Sequence, residues 1–488
     1  MKRVLPAAAA LLLAGCSMAP AYRVPTTVAI PASFKEAPGW GVAKPDDAAA
    51  RGEWWRLFND PALDALERKV VVTNQNVAAA RAAYQAARAL VMVQRSALFP
   101  TITGSTSAQH SGAFTGGTAT SVGGGTGTGT GAGTPTVTTS GSRFALSIGG
   151  SWEPDLWGKL GNAVSQAKAN AQASAGDLAN ATLSAQGELA TNYIQLRGIE
   201  AQRVLLDRSI ADYQRSLTIA NNKYKAGTVA RSDVYQAQTT LSNATATRQD
   251  LDRQRALLEH AIAVLAGENP STFSIGTAAW KPVVPVVPGV LPSTLLERRP
   301  DVAAAERRVA AANASIGIQR AAYFPAVTLS GSAGTSGSAV SQLFSAATSL
   351  WSFGLSGLMT LLDFGARHGQ VLQARAQYEQ AVASYRQTAL AAFQQVEDNL
   401  AATRVLADVT GSRIAASEAA SRAATIADNQ YRAGTVDFTS VVVAQTAALS
   451  AQQAQIQAVV DQQIASIALV QAIGGGWHEC TRGDGSGC

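Results

Sequence analysis

The chain has 488 residues, 47% apolar and only 15% charged, with 39 Lys and Arg against 33 Asp and Glu and a formal net charge of +6. An ordinary soluble domain is about 25% charged, and so apolar a composition excludes a charge-rich disordered chain. The positive charge is scattered without a dense basic cluster, so it does not point to nucleic acid. Aromatic residues are 6%, and Ala, Gly, Ser, Thr and Gln fill the gap, which favours closely packed helices over a bulky core.

Lys2 and Arg3 precede an apolar run over 4–14 that ends in Leu13-Ala14-Gly15-Cys16. A short apolar run after basic residues, closed by small ones, reads as a secretory signal. It is shorter than the about 20 residues that a spanning helix needs. The four residues also resemble a bacterial lipobox, which implies acylation of Cys16 and removal of 1–15. Ser17, where an Asp would signal inner-membrane retention, favours the outer membrane. The alternative is an ordinary signal peptide with an incidental Cys. The other cysteines, Cys480 and Cys488, sit in a Gly-rich tail where a small disulfide and free thiols are both open. His478 alone beside them does not make a zinc site.

Residues 60–98 are Ala-rich without interior Gly or Pro after Pro61, so one helix is expected, ended by Pro100. In 142–152, Phe144, Leu146 and Ile148 alternate with Ala145, Ser147 and Gly149, a strand with one apolar face. Residues 101–105 are its weaker partner. Between them, 115–134 is almost only Gly, Thr, Ala and Ser and is expected to be a mobile loop. A helix over 159–224 would be about 100 Å long at about 1.5 Å per residue. Along it Leu189, Asn192, Leu196, Ile199, Arg203, Leu206, Ile210, Tyr213, Leu217, Ala220 and Tyr224 keep strict 3-4 spacing, all apolar except Asn192 and Arg203, as in a coiled-coil seam. Gly227 ends it, and a second helix returns to near Gly267.

The same order then recurs. Asn222-Lys-Tyr-Lys-Ala-Gly-Thr-Val229 matches Asn429-Gln-Tyr-Arg-Ala-Gly-Thr-Val436 at an offset of 207, and Trp157-Gly158 matches Phe364-Gly365 at the same offset. Gln94-Arg-Ser-Ala-Leu-Phe-Pro100 matches Gln319-Arg-Ala-Ala-Tyr-Phe-Pro325 at 225, the difference being the long first insert. Trp351, Phe353 and Leu355 alternate with Ser352, Gly354 and Ser356, with 326–330 as partner strand. A long helix over 366–431, Gly434 and a helix to near Gly474 follow. Four strands of about ten residues match the span of a tilted membrane barrel, but an open four-stranded sheet cannot sit in lipid with unpaired edges. Copies must pool strands: two give eight and a filled interior, three give twelve and room for a pore.

Catalytic patterns are missing from the sequence. His110, His260, His368 and His478 are scattered, and neither a phosphate-binding Gly-x-x-x-x-Gly-Lys-Ser/Thr loop nor a Gly-x-Ser-x-Gly elbow occurs. The chain therefore reads as a non-enzyme without cofactor or metal, whose energy comes from a partner.

The lipobox, Trp54-Trp55-x-x-Phe58-x-Asp60-Pro61-x-Leu63, Arg298-Arg299-Pro300-Asp301-Val302, the two Tyr-x-Ala-Gly-Thr copies and Gly474-Gly-Gly-Trp477 resemble the outer-membrane factors of tripartite efflux pumps, in the NodT-type, OprM-like lipoprotein branch of the TolC family. The resemblance implies a mainly α fold with a transmembrane β-barrel: a homotrimer with four strands per protomer in a twelve-stranded barrel, and a coiled-coil α-helical barrel built by internal duplication. It implies an outer-membrane exit duct for small molecules such as drugs, with a periplasmic adaptor protein and an inner-membrane transporter of the RND type as partners, and outer-membrane lipid around the barrel. The divisions are a signal peptide (1–15), a lipidated segment that begins the equatorial domain (16–60), a first repeat (61–266, hairpin about 100–153), an equatorial linker (267–300), a second repeat (301–473, hairpin about 325–361) and a tail (474–488).

The expected gate and adaptor-docking residues lie at the two helix turns: Tyr224, Lys225, Gly227, Thr228, Arg231 and Asp233 in the first copy, Tyr431, Arg432, Gly434, Thr435 and Asp437 in the second. Three protomers would set six such turns in a ring, where Tyr, Arg and Asp can hold one another by charge-assisted bonds and a ring of Asp would favour cations. Asp233 matches the family's tip aspartate. The second copy departs, with Ser440 in place of Asp233 and Val443 where relatives often carry Asp, which leaves an inner aspartate ring open, with Asp437 as the candidate substitute. The bland reading keeps both Tyr as coiled-coil core and the charges as solvated turn residues. Two other functions share parts of this pattern: the duct of a protein-secretion system, and a trimeric coiled-coil surface protein, against which the twice-repeated internal strands argue.

Overall fold

In the computed structural model the described residues are 17–25, 35–36, 53–111, 141–285 and 299–475. The signal segment, Cys16, the insert 115–134, linker residues 286–298, and the tail with Trp477, His478, Cys480 and Cys488 lie outside them. The helices are α1 (Pro61–Thr73), α2 (Gln75–Ser96), α3 (Lys159–Lys225), α4 (Arg231–Leu265), α5 (Pro300–Ala321), α6 (Ala366–Arg432) and α7 (Phe438–Ala472). The strands are β1 (Thr101–Ser111), β2 (Gly141–Trp152), β3 (Ala326–Gly337) and β4 (Ser349–Leu358). None of the described helices is long and apolar enough to cross a membrane. The chain divides into two units, residues 1–22, 88–168 and 310–378, and residues 23–87, 169–309 and 379–488.

The first unit holds an antiparallel meander in the order β1-β2-β3-β4. β1 and β3 are more than twice as long as 101–105 and 326–330, the stretches the hydropathy pattern marks. Their Gly, Ser and Thr residues carry no alternation, and it is pairing that fixes their length, from Thr101 opposite Ser151 to Ser111 opposite Gly141. The register divides the faces. One carries Phe144, Leu146, Ile148, Leu329, Ala333, Trp351, Phe353 and Leu355. The other carries mostly small polar residues, with Gln109 and Arg143 toward one end and Leu350 and Leu358 on β4, and the Ser105–Ser147 and Ser332–Ser352 hydroxyl pairs each close to 2.8 Å across it. Trp351 is 82% exposed and Phe353 71%, so within one chain the apolar face is uncovered. The outer edges of β1 and β4 have no partner strand among the described residues.

The strand-to-helix corners are fixed by side chains. Trp157 donates from Nε1 to the Pro325 carbonyl at 2.8 Å and stacks on Phe324 at 4.7 Å. Asp155 accepts from the Leu160 and Gly161 amides at 3.0 and 2.6 Å, satisfying free donors at the start of α3. Ser17 donates to Asn162 Oδ1 at 3.0 Å and Asn313 donates to the Pro20 carbonyl at 2.9 Å, which lays residues 17–20 along α3 and α5.

The second unit holds the main core. Trp54, Trp55, Phe58, Leu63 and Val70 pack with Leu189, Tyr193, Leu196, Ile262, Ile467 and Leu469. The single helix expected over 60–98 is instead two, broken at Asn74, whose ψ of 125° is extended. Asn74 Oδ1 accepts from the Asn76 and Val77 amides at 2.9 and 3.1 Å, capping α2, and its Nδ2 donates to the Leu265 carbonyl at 2.8 Å. Asp60 caps α1 through the Ala62 and Leu63 amides. Glu67 is fully buried on α1 with neither carboxylate oxygen hydrogen-bonded, and burial pushes its pKa up to about 9. The seam of α3 is buried at Leu189, Leu196, Leu206, Tyr213 and Ala220.

Candidate functional site

The two helix turns are built alike from their repeated sequence. The Gly227 amide donates to the Tyr224 carbonyl at 2.9 Å and the Thr228 amide to the Lys223 carbonyl at 3.0 Å, and the Gly434 and Thr435 amides donate to the Tyr431 and Gln430 carbonyls at 3.1 and 3.0 Å. This paired closure satisfies the last carbonyls of α3 and α6 and requires a left-handed residue. Gly227 and Gly434 supply it, with φ of 75° and 77°. Thr228 and Thr435 each donate a second bond from the hydroxyl to the same carbonyl, at 3.0 Å. These glycines and threonines build the turns.

The two tyrosines part company. Tyr431 is buried in a small apolar cluster with Ala220, Ala237, Phe438 and Val441, its ring 5.2 Å from Phe438. Tyr224 is 41% exposed. The reason lies across each turn: the repeat places Arg231 where the second copy has Phe438, so no apolar lid forms over Tyr224. Lys223 adds to the difference. Its Nζ lies 3.9 Å from the centre of the Tyr431 ring and donates to the Tyr431 carbonyl at 2.7 Å, tying the end of α3 to the end of α6. The Tyr431 hydroxyl is buried without a hydrogen bond, and its pKa is raised by burial and by the nearby charge of Asp233. Asp233 and Tyr431 are thus neighbours without a direct bond.

The remaining charges turn outward or cap. Lys225 is exposed at the last position of α3. The Arg231 guanidinium lies 5.5 Å from the Tyr235 ring centre. Arg432 pairs with Asp428 at 2.7 Å. Asp437 caps α7, accepting from the Ser440 amide at 2.9 Å and the Ser440 hydroxyl at 2.6 Å, and these bonds hold its carboxyl below the usual range. The first copy has Ala230 at the cap and Asp233 three residues on; the second has Asp437 at the cap and Ser440 three residues on. The acid has moved within the turn, and in the second copy it is spent on its own helix.

Sequence reasoning passed over Lys223, Asp428 and a buried polar clamp higher up the hairpin. There Tyr193 donates to Asp60 Oδ2 at 2.7 Å, and Arg197 donates to the Tyr193 hydroxyl at 3.0 Å, to Glu200 at 2.7 Å and to the Gly276 carbonyl at 2.9 Å. Arg255 joins Glu200 at 2.9 Å and Glu259 at 3.0 Å, and Glu259 accepts from the Ile275 amide at 2.6 Å. Burial and the Asp60 bond push the Tyr193 pKa up. The clamp holds the segment after α4 against both helices. The spacing of Arg197-x-x-Glu200 and Arg255-x-x-x-Glu259, charges amid seam positions, was its signal.

The sequence profile of the family described as Outer membrane efflux protein matches residues 68–268 and 291–475, one block for each repeat. The chain belongs to this family. It is the outer-membrane exit channel of a tripartite efflux pump, a conduit and not an enzyme. It is 28% identical over 480 residues to the antibiotic efflux pump outer membrane protein ArpC of Pseudomonas putida, covering 97% of this chain and 96% of that one. It is 26% identical to the pyoverdine export outer membrane protein OpmQ of Pseudomonas aeruginosa, covering 99% and 98%. The solved outer-membrane channel OprN shares 30% identity and superposes with a TM-score of 0.81 over 95% of this chain and all of that one. The mainly helical fold with long helices and one four-stranded antiparallel sheet agrees with the expectation from sequence.

Proposed function

We propose that three copies of this chain close one barrel, each giving four strands, and that the duct exports small molecules. The observation that carries this is the open sheet: an uncovered apolar face together with free edges on β1 and β4. Lipid cannot satisfy edge amides and carbonyls, so the edges pair with other copies, and twelve strands leave a lumen that eight would fill. The small residues of the polar face suit that lumen.

This reading keeps the domain divisions drawn from sequence and sets six turns in a ring around the periplasmic opening. The Lys223–Tyr431 tie keeps each pair of hairpins closed, with Tyr224, Lys225, Arg231, Asp233 and Arg432 presented to neighbouring protomers and to a periplasmic adaptor protein. A groove of about 690 Å³ between α3, α4 and α7, lined by Leu206, Tyr213, Tyr235, Thr239, Val442 and Leu449, offers the adaptor a largely apolar seat. An inner-membrane transporter of the RND type drives export. Acylated Cys16 anchors the chain to outer-membrane lipid; the contact of Ser17 with Asn162, close after β2, supports an anchor at the helical end of the sheet.

The test is accumulation of a panel of dyes and antibiotics in a strain lacking the gene, with and without its restoration. Raised accumulation that restoration reverses is expected. Unchanged small-molecule accumulation with loss of secreted proteins from the medium would replace this reading with a protein-secretion duct.

A further inference from the structure

The sheet and its connections are nearly free of charge. Between Arg95 and Glu153 the sequence carries one charged residue, Arg143, and one histidine, His110; between Arg320 and Asp363 it carries neither a charge nor a histidine. The two segments span the four strands and the residues between them, so Arg143 is the sole fixed charge of the strand segments.

Its register gives it a side. Arg143 stands opposite Gln109 and two and four residues before Ala145 and Ser147, on the polar face that carries the Ser105–Ser147 pair. It is exposed and makes no ion pair among the described residues. His110 pairs with Ser142 on the opposite face, so it does not offset or reinforce this charge on the polar side. Its level is also fixed. The helices join the sheet at the Thr101 and Trp152 ends, and the Gln109–Arg143 pair lies at the other end, one pair of residues short of the last rung but one.

We propose that Arg143 makes the outer mouth of the channel selective for anions. The inference rests on the three-copy barrel of the preceding section, which turns the polar face inward and repeats Arg143 three times around one level of the lumen. A ring of fixed positive charge lining a pore favours anions over cations. Guanidinium also bonds carboxylate, sulfonate and phosphate groups in a bidentate manner. Anionic solutes therefore gain at this level and cationic ones are held back.

Magnitude decides where the effect is visible. A twelve-stranded barrel with strands about 4.8 Å apart and tilted by about 40° has a radius of roughly 12 Å. The screening length is about 30 Å at 0.01 M salt and about 3 Å at 1 M. The ring reaches the axis in dilute salt and is screened at the wall in concentrated salt.

The experiment is the reversal potential of purified channels in planar bilayers under a KCl gradient, for the wild type, R143Q, R143E and R143K. At about 0.01 M the chloride-to-potassium permeability ratio of R143Q should fall by about threefold, that of R143E further, and that of R143K should hold. All differences should vanish near 1 M. Equal ratios for wild type, R143Q and R143E in dilute salt, with conductance intact, would overturn the assignment and leave the barrel standing. Absence of conductance from the wild type and also from K223M, which releases the tie at the turns, would overturn the barrel and the assignment together. Arg143 is exposed, so the variants should assemble as the wild type does.

Discussion

In the proposed duct, Lys223 is the residue on which closure of the turns depends most directly, because it ties the end of α3 to the end of α6. Lys223→Met keeps the apolar stem over the Tyr431 ring and removes the ammonium. Two interactions go: the bond of 2.7 Å to the Tyr431 carbonyl and the contact of 3.9 Å with the ring. A charged hydrogen bond is worth about 1.5–3 kcal/mol when buried and a cation–π contact about 0.5–1 kcal/mol at an exposed site. Lys223 is half-buried, which cuts the first figure, so the tie weakens by about 1–2 kcal/mol. That is a factor of about 5–30 in the population of tips that have come apart. Single-channel recording should show open dwell rising accordingly, and amides near Gly434 should exchange faster. Gln430, the counterpart of Lys223 in the second repeat, makes no such tie, and Gln430→Met should change neither readout. Unchanged gating and exchange in Lys223→Met, with the assembly intact, would refute the role given to the tie.

Other residues carry predictions of their own. Asp60→Ala removes the cap of α1 and the partner of the buried Tyr193 hydroxyl, and should cost about 2 kcal/mol in thermal unfolding; an unchanged melting temperature contradicts the clamp. Glu67 has its native pKa raised to about 9 from an ordinary 4.5. The folded chain keeps this proton where the unfolded chain releases it, so stability falls as pH rises through that window, by up to about 1.4 kcal/mol per pH unit. Glu67→Gln should therefore melt higher than wild type at pH 8.5 and nearly level with it at pH 4.5, and a difference independent of pH would contradict the buried carboxyl. For Asp437 the sign is opposite: its native pKa is lowered, so the cap is present at neutral pH and lost as pH falls through that lowered value. Asp437→Ala should speed exchange of the Ser440 amide at pH 7 and converge on wild type only once pH has fallen below that lowered value; equal rates at pH 7 would show the cap to be inert.

The duplication, the two long hairpins and the apolar faces of β2 and β4 were legible because each rests on a local rule: helical period, strand alternation, or Gly after a helix. What was hidden depends on contacts made at a distance. Tyr224 and Tyr431 occupy the same place in identical motifs, and only the residue across the turn, Arg231 or Phe438, separates a half-exposed ring from a buried one. The break at Asn74 carries neither Gly nor Pro; it exists because the Leu265 carbonyl is there to accept. β1 is read as a full strand only through its partner. The position of Asp437 was plain in the sequence, but its engagement with Ser440 is a matter of backbone geometry.

The central claim is that an open four-stranded sheet becomes a pore only in threes. Native mass measurement of the chain extracted in mild detergent, followed by single-channel recording of the same preparation, tests it most directly. The account predicts an assembly of three chains that conducts ions in a planar bilayer. A monomer or dimer as the sole species, without conductance, would contradict it.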